Sequence, residues 1–115
     1  MSTEVAGTGI DRQVALSRVG GDTELLREIA NLFLEEYPRA MTSLREALSR
    51  GDAKEVERAA HGLKGSVANF GARAAVDAAL TIEGLGRARQ LAEVEQALRT
   101  LDLALAALRP ELESL

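Results

Sequence analysis

The sequence predicts an all-α domain: an up-down-up-down antiparallel four-helix bundle with a short extra N-terminal helix. Three observations predict it. Apolar residues make up 46% of the 115, but aromatic ones only 3%. The core must therefore be assembled from Leu, Ala, Val and Ile, a mixture that favours helix over strand. These residues recur at three- and four-residue steps over long stretches. The connections between the stretches are short, which forces successive helices to run antiparallel.

Residues 1–10 are small and polar with two glycines, Gly7 and Gly9, and read as a flexible lead to one domain spanning 11–115. Asp11 is placed to cap a short helix running to about Arg18, which Gly20-Gly21 ends. Asp22 caps a long segment carrying Leu25, Leu26, Ile29, Leu32, Phe33, Tyr37, Ala40, Leu44 and Leu48 at helical spacing. Pro38 interrupts it, and an interior proline costs a helix about 3 kcal/mol. The apolar stripe continues past it on a similar face. One kinked helix is expected, with a helix-break-helix as the second option. Ser49-Arg50-Gly51 closes this segment. Asp52 opens the next, with Glu55 three residues on as in a capping box, and Gly71 is its stop after Phe70. A further helix runs from about Ala72 to Leu85, ending near Gly84 and Gly86. The last begins near Gln90 with Leu91, Val94, Leu98, Leu101, Leu105, Leu108 and Leu112, and Pro110 bends or ends it.

Composition excludes several classes of function. The net charge of −4 argues against nucleic acid, whose phosphate backbone calls for clustered Lys and Arg. There is no cysteine, so disulfides and thiolate metal sites are out, and a reducing compartment fits. No apolar run reaches the roughly 18 residues of a membrane span. The segment MSTEVAGTGIDRQ lacks the apolar centre of a signal peptide. A cytoplasmic protein that uses neither membrane nor nucleic acid is expected, most simply as a monomer.

The stretch AHGLKGSVANFG, residues 60–71, holds the one histidine of the chain. A helical wheel that puts Val56 at zero places Ala60, Leu63, Val67 and Phe70 within about 40° of it. His61 then lies about 140° away, Gly65 about 180°, Ala68 about 120° and Lys64 about 80°. The histidine faces outward, Lys64 stands at the shoulder of the core face, and the helix one turn beyond His61 is bare. An interior glycine costs about 1 kcal/mol relative to alanine, so Gly62 and Gly65 mark a place that something approaches closely. An unhindered imidazole beside a lysine suits phosphoryl acceptance on a ring nitrogen, because phosphoryl transfer needs mainly positioning and charge stabilisation. A free imidazole, titrating near about 6.5, is largely neutral and nucleophilic at neutral pH.

HGLKGSVANFGA closely resembles the signature of histidine-containing phosphotransfer (HPt) domains. His61, Leu63, Lys64, Gly65, Ser66, Ala68, Asn69, Gly71 and Ala72 carry the match. The resemblance covers nearly the whole chain. The segment GGDTELLREIANLFLEEYPRAMTSLREALSRGD looks like the long second helix of that family, proline included, and IEGLGRA looks like its fourth. The resemblance implies that His61 is phosphorylated, receiving its phosphoryl group from a receiver-domain aspartate or a histidine kinase and passing it to another receiver. It implies that Lys64 stabilises the phosphoryl group, that Gly65 clears space for the receiver, and that Ser66, Ala68 and Asn69 belong to the surroundings of the site. Family members often carry a Gln or Glu on the next helix within reach of the ring; Glu83 matches that position, and Arg87, one turn on, faces the same partner. Mg2+ belongs to the partner's aspartate pocket, and no cofactor or metal of the chain's own is implied. Val67 and Phe70 depart from the family's Ser and Leu, on the core face.

Three other readings stand beside this one. An ATP-dependent kinase lacks support, since no GxxxxGK[ST] loop is present. A metal site would have to draw on His61 and carboxylates such as Glu57, with Lys64 repelling the cation. A helical adaptor that binds a signalling partner without phosphorylation is compatible with the fold. On the fourth helix, Val76 and Leu80 lie off the Ala75-Ala79-Ile82 stripe. They read either as packing against a neighbouring helix or as an exposed patch.

Overall fold

The computed structural model describes residues 9–115. Five α-helices follow in order: α1, Arg12–Arg18; α2, Thr23–Ser49; α3, Ala53–Ala68; α4, Arg73–Arg87; and α5, Val94–Glu113, preceded by a single 3-10 turn at Leu91–Glu93. No strand occurs among the described residues. Helices α2 to α5 form an antiparallel four-helix bundle in which α3 packs on α2 and α4, and α5 closes the ring against α4 and α2. The short α1 packs against α2.

The first three helices begin on the aspartate caps that the sequence offers. The carboxylates of Asp11, Asp22 and Asp52 accept from the backbone N–H of Val14, Leu25 and Glu55, capping α1, α2 and α3. Gly51 and Gly71 take φ of +70° and +61° after the ends of α2 and α3, where a left-handed residue is needed to close the last turn. A β-carbon at Gly71 would also meet that of Asp11 at 2.6 Å. Here the Asp11 N–H donates to the carbonyl of Phe70 at 2.8 Å, tying the start of α1 to the α3–α4 corner. The lead expected over residues 1–10 lies outside the described residues except for Gly9 and Ile10. The Ile10 N–H donates to Glu111 on α5, and its side chain packs on the core.

The core follows the apolar stripes. Val94, Leu98, Leu101, Leu105, Leu108 and Leu112 are buried along α5, and Val56, Ala60, Leu63 and Val67 along α3. All three aromatic rings of the chain meet in one cluster, Phe33 stacked on Tyr37 at 5.3 Å and tilted against Phe70 at 5.6 Å. Helix α2 is unbroken through Pro38, so the helix-break-helix option does not hold. Its stripe is narrower than expected: Leu25 and Leu32 are exposed, while Ala30, Met41 and Ala47 are buried. Likewise α5 continues through Pro110 to Glu113.

Two boundaries differ from the sequence reading. Helix α3 ends at Ala68, with Asn69 as its C-cap, two residues before Phe70. Helix α4 does not stop near Gly84 and Gly86 but runs through both to Arg87, and the left-handed residue that closes it is Arg89, φ +59°. Gly86 has another use. A β-carbon there would lie 2.8 Å from the backbone nitrogen of Glu57 and 3.0 Å from the carbonyl oxygen of Ala53. The glycine lets α3 and α4 approach backbone to backbone. That close crossing sits one turn from Glu83 and one turn from His61.

Candidate functional site

His61 projects from α3 with two-thirds of its side chain exposed (67%), as the wheel requires. Glu83, on α4, is the one buried charged or polar residue among those described, at 5% exposure. The two meet across the helix interface: His61 Nδ1 lies 3.0 Å from Glu83 Oε2. Lys64, one turn along α3, brings its Nζ to 2.7 Å from Glu83 Oε1. Oε1 is otherwise buried from solvent and has no other partner, so the Lys64 ammonium is its one counter-charge. Arg87, one turn along α4, donates from a terminal guanidinium nitrogen to Glu83 Oε2 at 3.2 Å and from Nε to Glu57 Oε2 at 2.9 Å. One buried carboxylate thus gathers His61, Lys64 and Arg87.

The electrostatics follow from this arrangement. The Lys64 ammonium holds the Glu83 carboxyl below its usual range; burial opposes this, and the His61 hydrogen bond adds to the lysine's effect. Glu83 is therefore a carboxylate at neutral pH and can only accept. The proton in the His61–Glu83 bond sits on Nδ1. That assigns the ring tautomer and leaves Nε2 with its lone pair facing outward. Lys64 carries three N–H donors and uses one toward Glu83, so it can hold the carboxylate and still offer hydrogen bonds to an anion beside the ring. Arg87 is pushed above its already high range, chiefly by Glu57.

The bare surface next to His61 is real. A β-carbon placed on Gly62 or Gly65 meets nothing within 4 Å. Among the described residues neither glycine is needed for packing, in contrast to Gly86. The helical cost of both is borne by a face on which none of the described residues packs. Leu80, half-exposed on α4, and Val76, half-buried and packed on the core, split the two readings of that pair.

Not every residue singled out from sequence is brought to the imidazole. Ser66 donates its hydroxyl to the Gly62 carbonyl at 3.2 Å, a bond within α3 and not to the ring. Asn69 lies two turns beyond His61 at the end of α3, where its side chain accepts from Arg18 at 3.5 Å. Ala68 is half-buried between them. Glu57 enters as a residue the sequence reading had considered only as a metal ligand. Its carboxylate faces the cationic Arg87, and the described residues hold no group of three or more metal-ligating side chains. The one available signal was its position four residues before His61, on the same side of α3. A shallow depression beside the ring is lined by Lys54, Glu57, Arg58, His61, Glu83 and Arg87.

Comparison with known proteins bears on the fold and the family. No curated protein matches the sequence significantly. Among solved structures, histidine-containing phosphotransfer protein B (HptB) from Pseudomonas aeruginosa PAO1 has a similar fold, with a TM-score of 0.85, 22% identity, and 91% of each chain covered. The family model described as the Hpt domain matches residues 28–111, which hold α3, α4 and all of the His61 cluster. On that match the chain belongs to the Hpt domain family, the histidine phosphotransfer carriers of two-component phosphorelays.

Proposed function

We propose that His61 is the phosphoryl acceptor and donor of this chain, acting through Nε2. The observation that carries the reading is the pairing of an exposed imidazole with a buried carboxylate that binds its Nδ1–H. Glu83 fixes the ring and its tautomer, and supports the positive charge that develops on the imidazole as Nε2 attacks. In the forward step the Nε2–P bond forms as the bond between phosphorus and a carboxylate oxygen of a receiver aspartate breaks. The carboxylate leaves with its electron pair, and the Nδ1 proton stays in the bond to Glu83. The reverse step returns the phosphoryl group to a second receiver. Lys64 balances the charge of the phosphoryl oxygens, and the surface at Gly62 and Gly65 gives the receiver room to bring its aspartate in line.

Hpt proteins are phosphocarriers rather than kinases, and this chain is read as one that relays a phosphoryl group without ATP chemistry of its own. Its partners are a receiver domain and a hybrid or separate histidine kinase. Mg2+ acts in the partner's aspartate pocket, and no cofactor belongs to this chain. Among the described residues no helix is long and apolar enough to cross a membrane. The protein is read as a cytoplasmic monomer that engages neither membrane nor nucleic acid. Transfer from a phosphorylated receiver domain tests the reading. The wild type gains an acid-labile, base-stable label and His61→Gln gains none. A folded wild type that stays unlabelled with several donors supports the adaptor instead.

A further inference from the structure

Arg87 is held by two carboxylates at once, and only one of them belongs to the buried cluster. Its Nε donates to Glu57 on α3 at 2.9 Å, and a terminal nitrogen donates to the Glu83 oxygen that also accepts from His61. The guanidinium thus flanks the ring on the side away from Lys64, toward the start of α3. It is 64% exposed, so no packing fixes it there; the two carboxylates do. The polar partner of the Glu57 carboxylate is Arg87, not the imidazole. What it contributes is the position of a cation.

We propose that Glu57 is a positioning residue that keeps Arg87 in reserve beside His61, and that phosphorylation of His61 draws the guanidinium off Glu57 and onto the phosphoryl oxygens. This rests on the reading of His61 as the acceptor. A phosphoryl group brings about −1.5 to −2 charge and three strong acceptor oxygens. Arginine's planar fork suits such a group better than a single carboxylate oxygen. The guanidinium already lies on the carboxylate oxygen that binds the ring at Nδ1, and its exposed side chain is the part that moves in the proposed exchange. The charged groups around the ring are Lys54, Glu57, Arg58 and Lys64 from α3, and Glu83 and Arg87 from α4. Of these, Glu57 is the anion that competes with the phosphoryl group for Arg87 without itself binding His61. It therefore weakens the hold of the site on the phosphoryl group and favours onward transfer.

The test is a phosphorus-31 NMR titration of protein phosphorylated with phosphoramidate, as wild type, Glu57→Gln, Arg87→Gln and the double variant. Glu57→Gln is expected to lower the pKa of the bound phosphoryl group by about half a unit, the scale of an exposed ion pair. Arg87→Gln is expected to raise it, and the double variant to match Arg87→Gln, since Glu57 acts through Arg87. An unchanged value in Glu57→Gln overturns the proposal. So does a decrease of the same size in the Arg87→Gln background, which shows direct repulsion between Glu57 and the phosphoryl group. The nitrogen-15 resonance of Arg87 Nε gives a second measure on the wild type alone: it shifts on phosphorylation if the arginine changes partners, and a constant shift overturns the proposal. A wild type that acquires no phosphorus signal at His61 overturns the phosphotransfer reading and this proposal together, whereas failure of Glu57 alone leaves His61 phosphorylated.

Discussion

Glu83 Oε2 lies 3.0 Å from His61 Nδ1 across the α3–α4 interface, a buried carboxylate on one helix fixing an exposed ring on the other. The relationship depends on Gly86, which lets the two backbones close, and on Lys64, which compensates the buried charge. Much of what the site does can be predicted from those dependencies.

Replacing Glu83 separates its charge from its hydrogen bond. Glu83→Ala removes both, and a lost hydrogen bond to a charged group costs about 1.5–3 kcal/mol. Transfer to His61 is expected to slow by at least about 10-fold. Glu83→Gln keeps an acceptor for Nδ1–H but no charge, and is expected to fall between Glu83→Ala and the wild type. Single-turnover transfer rates from one phosphorylated receiver rank the three.

The same carboxylate makes stability depend on pH. Its folded-state pKa is depressed, mainly by Lys64, so the unfolded chain takes up this proton more readily than the native one. The stability it contributes is fully present above its ordinary value of 4.5 and is lost as pH falls through the lower folded value. Denaturation of wild type and Glu83→Gln over an acid pH series should show the wild type's relative stability holding above 4.5, declining as the pH falls from there through the lower folded value, and flat below it.

Lys64→Ala is expected to do more than slow transfer. A residue at the shoulder of a helix reads as dispensable for folding, but here its ammonium is the partner of the buried Oε1. Leaving that oxygen unpartnered costs about 1–3 kcal/mol, and the Glu83 carboxyl should move back toward or above its ordinary range. Chemical denaturation measures the first effect, and carbon-13 NMR titration of the Glu83 carboxyl the second.

The glycines divide into two kinds with opposite responses. Gly65→Gln enters open space, so the variant should be more stable by about 0.5 kcal/mol from helix propensity while losing transfer from receiver domains. Gly86→Ala places a β-carbon 2.8 Å from the Glu57 backbone nitrogen. It should destabilise the protein by about 1–3 kcal/mol and, by separating α3 from α4, weaken the His61–Glu83 bond. Thermal unfolding together with transfer assays distinguishes them; a Gly65→Gln variant that transfers normally contradicts the account of the bare face.

The helices that position the site were readable because their signals are local. Three aspartate caps, the six-residue apolar stripe of α5 and the wheel that turned His61 outward all depend on spacing within one segment. Where a residue's meaning depends on a neighbouring helix, the sequence was ambiguous or silent. Gly86 was taken as a helix stop because glycine marks both chain ends and close crossings, and only the α3–α4 contact tells them apart. Leu25 and Leu32 kept the helical period of α2 yet face out, because period alone does not set the width of the buried stripe. Glu83 was reached through family resemblance, whereas the Glu57–Arg87 pair joins residues thirty positions apart and required the register of two helices. The expected neighbourhood of Ser66 and Asn69 proved to be helix structure: a hydroxyl bonded along α3 and a C-cap held by Arg18.

The most direct test of the central claim is to determine which ring nitrogen becomes phosphorylated. Protein labelled with nitrogen-15 at histidine is treated with phosphoramidate or a phosphorylated receiver, and two-dimensional spectra correlate the ring nitrogens with the ring protons. The account predicts phosphorus on Nε2 of His61, with Nδ1 protonated and hydrogen-bonded to Glu83. Phosphorus on Nδ1, or on a residue other than His61, would contradict it.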